Sequence, residues 1–239
     1  MSAHYDRYLT QHLSHVSRPG AVERNAIFVL EHHGRHFPSD RNAAILEIGP
    51  GFGGLIDCLH NRCGYRNVSG VDISREAVEA SNRVLTSSTE LAENTVEFLE
   101  HRPEQFDMVL MLHVLEHVAE QNAIPLLEAV RGALKANGKL VVEVPNAIHP
   151  VAGAYNRYFD FTHKMGFTDR SLEFVLRSAG FDEVTIYGCR IPRKNPARLI
   201  QRTAQDLMEL LAAVRLRLYL PKQPLNLALT LGACAMKRF

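Results

Sequence analysis

The stretch at residues 44–54, Ala-Ile-Leu-Glu-Ile-Gly-Pro-Gly-Phe-Gly-Gly, constrains this chain more than any other. An apolar run that ends in Glu47 is followed at once by a turn crowded with glycines. Such a run predicts a buried strand, and Leu55-Ile-Asp-Cys-Leu predicts the start of a helix. Glycines are needed where the backbone turns tightly and a ligand approaches it closely.

A second apolar run ends in Asp72, where a carboxylate at the tip of the next strand can accept hydrogen bonds from both ribose hydroxyls. The two features together predict a nucleoside-binding βαβ unit. Gly49, Gly51 and Gly54 also satisfy the dinucleotide spacing G-x-G-x-x-G, but that pattern alone is weak. The carboxylate of Glu47 would repel a pyrophosphate and would suit a sulfonium ligand, which argues against a dehydrogenase.

Four motifs in order resemble those of class I S-adenosylmethionine-dependent methyltransferases, over about residues 43–190. They are Glu47-x-Gly-x-Gly-x-Gly, Asp72, the run Phe106-Asp-Met-Val-Leu-Met-Leu-His-Val-Leu-Glu-His-Val118, and Leu134-Lys-Ala-Asn-Gly-Lys-Leu-Val-Val-Glu-Val-Pro-Asn146. The resemblance implies S-adenosyl-L-methionine as cofactor. The residues that it implies for cofactor binding are Glu47, Gly49, Pro50, Gly51, Gly53, Asp72, Ile73, Glu100, Leu112 and His113. Glu100 is the candidate for adenine recognition, with an exposed loop as the alternative.

Strands and helices alternate along the chain, which predicts an α/β fold with a mostly parallel sheet and helices on both faces. The predicted strands are 43–48, 67–72, 95–99, 106–112, 138–144, 182–190 and 227–236. The predicted helices are 53–61, 75–85, 122–135, 170–179 and 196–219. In the resembled fold the sheet is doubly wound and seven-stranded, and its final strand is antiparallel.

Three regions follow from this pattern. We predict that residues 1–40 form a helical N-terminal lid and that residues 41–190 form the cofactor-binding Rossmann-like core. Residues 191–239 are predicted to form a basic helical insertion followed by the final strand. Because residues 147–169 are rich in polar and aromatic side chains, 146–169 is the predicted substrate loop. Its candidate substrate-binding residues are His149, Tyr155, Arg157 and Tyr158.

Methyl transfer to a hydroxyl requires loss of a proton, which an imidazole near neutrality can accept. We predict O-methylation with His163 as general base and Asp160 orienting it, and with His117 and His149 as alternatives. The segment Asp160-Phe-Thr-His163 with Phe167-Thr-Asp-Arg-Ser-Leu resembles a methyltransferase subgroup that includes enzymes acting on sugars and polyketides. A loop brace is an equally good interpretation of Asp160 and His163.

His113-Val-Leu-Glu-His117 also matches the zinc pattern H-x-x-E-H. That pattern needs a long helix and a third ligand, so we predict no metal. Base-methylation and nucleic-acid signatures are absent from the sequence.

The acceptor predicted from the sequence is a sugar hydroxyl in a nucleotide- or lipid-linked glycan precursor. A quinone or polyketide phenol, and a non-catalytic cofactor-binding scaffold, are the alternatives. Residues 190–239 carry ten Lys or Arg against two acidic residues, a local charge of +8. This imbalance favours an anionic substrate or peripheral membrane contact through 196–219, although pairing with the acidic body explains it equally well. The four scattered cysteines and the lack of a long apolar run lead us to expect a cytoplasmic protein.

Overall fold

A computed structural model describes residues 8–11, 20–84, 89–219 and 226–238 of the chain. Its centre is one seven-stranded sheet. The strands are β1 Ala44–Ile48, β2 Asn67–Asp72, β3 Thr89–Leu91, β4 Phe106–Leu112, β5 Leu134–Pro145, β6 Glu183–Cys189 and β7 Thr230–Met236, in the order β3-β2-β1-β4-β5-β7-β6. The first five strands are parallel, and β7 lies antiparallel between β5 and β6. The predicted fold class is therefore confirmed.

Helices cover both faces of this sheet because the central strands are apolar on both sides. In β1, Ile45 packs into one core cluster, and Leu46 and Ile48 pack into the other. All five residues of β1 are buried, as expected of a central parallel strand. The helices are α1 Tyr8–Gln11, α2 Ala21–His33, α3 Gly54–Asp57, α4 Arg75–Val84, α5 Thr95–Glu100, α6 Glu120–Ala133, α7 Gly153–Phe159, α8 Asp169–Ser178 and α9 Pro196–Arg217.

The strand predicted at 95–99 is wrong, because these residues form α5. Asn94 caps that helix, and its side-chain oxygen accepts hydrogen bonds from the backbone N–H groups of Val96 and Glu97. Phe98 and Leu99 are the buried residues of this helix. The third strand of the sheet is β3, and Thr89 pairs there with Gly70 of β2.

Residues of the predicted lid form α1 and α2, and residues 1–7 and 12–19 lie outside the described part of the chain. The helix predicted at 53–61 is only partly α-helical, because α3 ends at Asp57 and continues as a π-helical turn at Cys58–Arg62. The basic insertion forms α9, which precedes β7 as predicted. Within the described residues no helix is both long and apolar enough to cross a bilayer.

Candidate active site

The glycine turn joins β1 to α3 at the carboxyl edge of the sheet. Gly49, Gly51 and Gly53 have φ angles of 72°, 54° and 71°, a region that disfavours side chains. The N–H of Gly49 donates to the carbonyl of Val71 over 2.9 Å, which ties the turn to β2. Among the described residues, a Cβ on Gly51 would come within 4.0 Å of Leu9 Cδ2 alone, so no described side chain fills the space directly against this glycine. Pro50 is buried beneath it.

Two carboxyl groups lie at the ends of the neighbouring strands. Asp72 accepts a hydrogen bond from the N–H of Ser74 over 2.8 Å. Burial raises the pKa of Asp72 to about 6, although the backbone N–H groups of Ser74, Ile73 and Gly51 oppose the rise. Asp72 is thus held at the strand tip by backbone donors, next to the turn and to Ile73.

Glu47 is only 5% exposed, and its Oε2 atom has no hydrogen-bond partner among the described residues. Burial, and secondarily the charge of Asp72, raise its pKa to about 8. A buried polar atom without a partner costs free energy unless a ligand supplies one. The orphaned oxygen of Glu47, the open side of Gly51 and the carboxylate of Asp72 fit the cationic and hydroxyl groups of an adenosyl sulfonium.

The N-terminal helix α1 lies beside this turn. The backbone N–H groups of Leu9 and Thr10 donate to the carboxylate of Glu76 on α4, over 3.0 and 3.2 Å. Leu9 is thereby buried against the glycine turn. The lid function of this segment stays a prediction.

Glu100 does not lie where the sequence prediction requires. That prediction assumed a strand at 95–99, but Glu100 is the last residue of α5 and is exposed. The residues that follow β3 are Ala92 and Glu93, and the N–H of Ala92 donates to the carbonyl of Asp72 over 2.9 Å. Glu93 therefore holds the position after the third strand at which the sequence analysis placed Glu100, because β3 begins six residues earlier than the predicted strand.

His113 follows Leu112 at the end of β4, and its φ of 56° is unusual for a residue with a side chain. Its Nδ1 lies 3.2 Å from Glu116 Oε1, and its Nε2 lies 3.6 Å from Glu143 Oε1. Burial opposes a charge on the ring, but the two carboxylates outweigh it and raise the pKa of His113 to about 10. About half of the side chain, 49%, stays exposed.

Glu143 of β5 is the centre of a buried polar network that the sequence did not reveal. Its oxygens contact His33 Nε2 over 2.5 Å and the hydroxyl of Thr230 over 3.0 Å. His33 in turn contacts the hydroxyl of Tyr187 over 2.7 Å. Despite desolvation, His113 and His33 hold the pKa of Glu143 well below its usual value.

A cavity of about 1320 Å³ opens above this network, between α2 and α9. Leu112, His113, Glu143 and Thr230 belong to its lining. Most of the other lining side chains are apolar, including Phe28, Val29, Ile148, Ile191, Met208, Leu211, Leu216 and Leu229. The lining also contains polar and charged side chains, among them Asn25, Arg190, Gln201, Gln205 and Arg215. A large cavity whose lining is predominantly apolar and carries some polar groups is typical of a small-molecule site.

Of the four predicted substrate-binding residues, His149 lines this cavity and the other three do not. Tyr155 and Tyr158 are 61% and 78% exposed. Arg157 instead donates to the carbonyl of Lys164 over 3.1 Å. The predicted polar wall is therefore mostly turned away from the cavity.

His149 is fixed by its own loop. Its Nδ1 accepts the backbone N–H groups of Ala152 over 2.9 Å and Val151 over 3.3 Å. Neutral imidazole carries one proton, so Nε2 carries it and is a donor. Burial lowers the pKa of His149, and the nearby Glu209 opposes this only in part.

The predicted catalytic residues His163, Asp160 and His117 are brought together, but outside the lining of the cavity. Asp160 accepts hydrogen bonds from the N–H and hydroxyl of Thr162 over 2.8 and 2.6 Å. Its Oδ2 lies 3.9 Å from His163 Nε2, too far for a hydrogen bond. The carbonyl of Asn156 orients His163 instead, over 2.6 Å.

The basic residues of the C-terminal segment are largely paired with acids. Arg190 pairs with Glu209 over 2.6 Å, and Arg202 pairs with Asp206 over 2.5 Å. Lys194 and Arg198 both pair with Glu31, at 2.8 and 3.3 Å. Pairing with the body of the protein thus accounts for much of the local charge.

Comparison with known proteins shows which family shares these features. A model of the methyltransferase domain family matches residues 23–186. No curated protein sequence matches the chain.

Solved structures of low sequence identity share the fold. An S-adenosylmethionine-dependent methyltransferase from Archaeoglobus fulgidus is 19% identical with a TM-score of 0.68, over 94% of this chain and 98% of that one. One from Thermotoga maritima is 18% identical with a TM-score of 0.65, over 98% of this chain and 100% of that one. A phosphoethanolamine N-methyltransferase from Haemonchus contortus, in complex with S-adenosyl-L-methionine, is 16% identical with a TM-score of 0.59, over 95% of this chain and 60% of that one.

Proposed function

This chain belongs to the methyltransferase domain family and is an S-adenosylmethionine-dependent methyltransferase, and from that premise we propose that it methylates a hydroxyl, phenolic in character, on a largely apolar small molecule. The observation that carries this proposal is the apolar lining of the cavity between α2 and α9. Polar lining residues such as Asn25, Gln201 and Arg215 are outnumbered by apolar ones, so an apolar acceptor would match more of this wall than a free nucleotide sugar would. We therefore prefer the alternative acceptor of the sequence analysis, a quinone or polyketide phenol, to the glycan.

The cofactor-binding residues are part of the same proposal. Asp72 would accept hydrogen bonds from the ribose hydroxyls, and the backbone of the turn at Gly49, Gly51 and Gly53 would lie against the adenosyl group. Glu47 would face the cationic part of the cofactor. Leu112 and His113 would separate this group from the cavity. When bound, the cofactor supplies an activated methyl group, so alignment of the acceptor oxygen is the main task left to the protein.

A phenol suits the groups that line the cavity. It ionises near pKa 10, as tyrosine does, and so needs less help from a general base than an aliphatic alcohol. His149 presents Nε2–H, because its Nδ1 accepts two backbone N–H groups. A donor in this position would hold an ionised oxygen, so we assign His149 to positioning and no longer assign His163 as the base.

The test is methyl transfer from isotopically labelled S-adenosylmethionine to a panel of acceptors. The panel contains hydrophobic phenols and quinols, a nucleotide sugar and a lipid-linked sugar. We expect label on the phenolic oxygen, seen as a gain of one CH₂ in the product mass. Efficient labelling of either sugar with none on any phenol would overturn the proposal, and cofactor binding without transfer to any acceptor would favour the scaffold alternative.

Two variants on one helix give a matched control. Both Met208 and Leu210 are 60% exposed, but Met208 lines the cavity and Leu210 does not. We expect Met208→Gln to raise KM for an apolar phenol several-fold and to leave cofactor affinity unchanged. Leu210→Gln should change neither quantity, and equal effects of the two variants would contradict the cavity assignment.

Peripheral membrane contact and an anionic partner stay predictions. Ile200 of α9 is 72% exposed and Leu218, which directly follows the helix, is 79% exposed, and such apolar side chains are compatible with membrane contact. The ion pairs of Arg190, Arg198 and Arg202 weaken the argument from charge alone. A vesicle-binding assay with and without anionic lipid would decide it.

A further inference from the structure

Three side chains of types that ligate metals lie outside the lining of the cavity, and one of them, Glu116, contacts the lining residue His113. Glu116 and His117 belong to the single 3₁₀ turn Leu115–His117 that follows β4, and His163 lies in the loop between α7 and α8. One potential ligand atom from each of the three lies within 4.8 Å of the others. Two imidazoles and a carboxylate are a donor set that divalent zinc and related ions prefer.

Both histidines are held in the tautomer that a metal ligand needs. His163 Nδ1 faces the carbonyl of Asn156 over 2.6 Å, and a carbonyl can only accept, so this nitrogen carries the proton. His117 Nδ1 lies 2.8 Å from the hydroxyl of Thr162, which already donates its proton to Asp160. His117 therefore donates to Thr162, and in each ring Nε2 is the nitrogen with the lone pair.

Glu116 supplies an independent observation. Glu116 is 2% exposed, and within the part of the chain that the structure describes its Oε2 has no hydrogen-bond partner, whereas Oε1 contacts His113 Nδ1. A buried carboxylate oxygen without a donor is costly unless a proton or a cation meets it. Asp160, 4% exposed and 3.9 Å from His163 Nε2, adds a second buried carboxylate next to the cluster.

We propose that Glu116, His117 and His163 bind one divalent transition-metal ion of the zinc class, with Asp160 as the adjacent carboxylate. Hydrogen bonding of the non-ligating nitrogen to a carbonyl or hydroxyl is the usual arrangement around histidine-bound metals. The ion fixes the loop that carries His163 against the turn that follows β4. This proposal departs from the sequence analysis, which predicted no metal because the H-x-x-E-H pattern lacked a third ligand. His113 contacts Glu116 and Glu143, and His163 from a distant loop supplies the second imidazole.

A second group, consisting of His32, His33, Glu143 and Cys189, also satisfies a distance criterion for ligands. Both ring nitrogens of His33 are already engaged, by Tyr187 and by Glu143. Burial raises the pKa of the Cys189 thiol well above its usual value, so its thiolate is disfavoured. This group is therefore the polar network already described, not a metal site.

The test begins with the wild-type protein after chelator treatment and needs no variant. Titration with Zn²⁺ against a chromophoric chelator should give one equivalent bound per chain. Co²⁺ should bind with the visible absorption of a nitrogen- and oxygen-ligated site, and thiolate-to-cobalt charge transfer should be absent. Failure to bind one equivalent of either ion, or a thiolate band from Cys189, would overturn the proposal.

Variants then locate the ion. His163→Gln should abolish stoichiometric binding, and Thr162→Val, which removes only the support of His117, should weaken it about 10–100-fold. His101, an exposed histidine of another loop, provides the control, and His101→Gln should bind as the wild type does. Thermal unfolding of each metal-free variant verifies folding, and Zn²⁺ should raise Tm of the wild type and of the His101 variant but not of the His163 variant.

Discussion

Replacing Glu47 by Gln tests the most unusual electrostatic feature of the candidate site. Burial raises the pKa of Glu47 from 4.5 to about 8, so the folded protein holds this proton more tightly than the unfolded chain. Its contribution to stability is therefore complete below pH 4.5 and is lost as the pH rises toward 8. With 1.36 kcal/mol per pKa unit, the wild type should lose about 2 kcal/mol of unfolding free energy between pH 6 and pH 8 through this group alone.

Glutamine has the same shape and cannot ionise, so the variant should lack this part of the pH dependence. Urea unfolding of both proteins without cofactor, at pH 6, 7 and 8, gives the difference directly. Groups that do not interact with Glu47 cancel when the two curves are subtracted, whereas the coupling of Glu47 to Asp72 stays in the difference and belongs to the same effect. Parallel curves over this range would refute the assignment of a protonated, buried Glu47.

The same reasoning extends to cofactor binding. A cationic ligand next to Glu47 favours the ionised carboxylate, so binding near pH 7 should release a proton from the wild type. Calorimetry in two buffers with different ionisation enthalpies measures that release. The Gln variant should release less, and an equal release from both proteins would show that the cofactor does not meet this carboxyl group.

Three further substitutions test the turn and the sheet, and two glycine variants serve as their controls. Asp72→Asn should weaken cofactor binding about 10–100-fold, measured by calorimetry, because charged hydrogen bonds are lost; unchanged affinity would contradict its role. Gly49→Ala should lower the free energy of unfolding in urea by about 2–4 kcal/mol, because φ is 72° and the new Cβ would lie 2.6 Å from a valine methyl. Its control is Gly64→Ala, where φ is 75° and no described atom lies within 4 Å of the new Cβ. That variant should show the backbone strain alone, about 1–2 kcal/mol. Gly232→Ala should lower the free energy of unfolding by about 1–3 kcal/mol, because its Cβ would collide with a tyrosine ring of β6. Gly132→Ala on α6, whose Cβ would meet no described atom within 4 Å, should leave the stability unchanged or raise it.

Most of the sheet could be predicted because its strands are strongly apolar and end in recognisable turns. The strand 67–72 was placed correctly, and β1 and β4 differ from prediction by one residue at most. The error at 95–99 has a local cause. Val96, Phe98 and Leu99 are as consistent with a strand as with one and a half turns of helix, and the side chain of Asn94 decides in favour of the helix.

The candidate site was only half predictable. Asp72, Glu47 and the glycine turn lie within one βαβ unit, so their spacing in sequence carried the information. Lone residues such as His33 and Tyr187 have no local signature, and only the topology brings them to Glu143. Exposure of the loop side chains is likewise a tertiary property, which is why Tyr155 and Tyr158 were assigned to substrate binding on composition alone.

The floor of the cavity connects the two ends of the chain. Glu143 on β5 meets His33 from α2 and Thr230 from β7, which are 110 and 87 residues away in sequence. Thr230 can reach Glu143 only when β7 is inserted between β5 and β6, because that insertion sets the antiparallel register of Glu143 opposite Gly232. A buried carboxylate that lost either partner would be left unsatisfied at substantial cost. Insertion of β7 and formation of the polar network around Glu143 should therefore occur as one cooperative event. The predicted acceptor site should exist only when β7 is paired with β5 and β6.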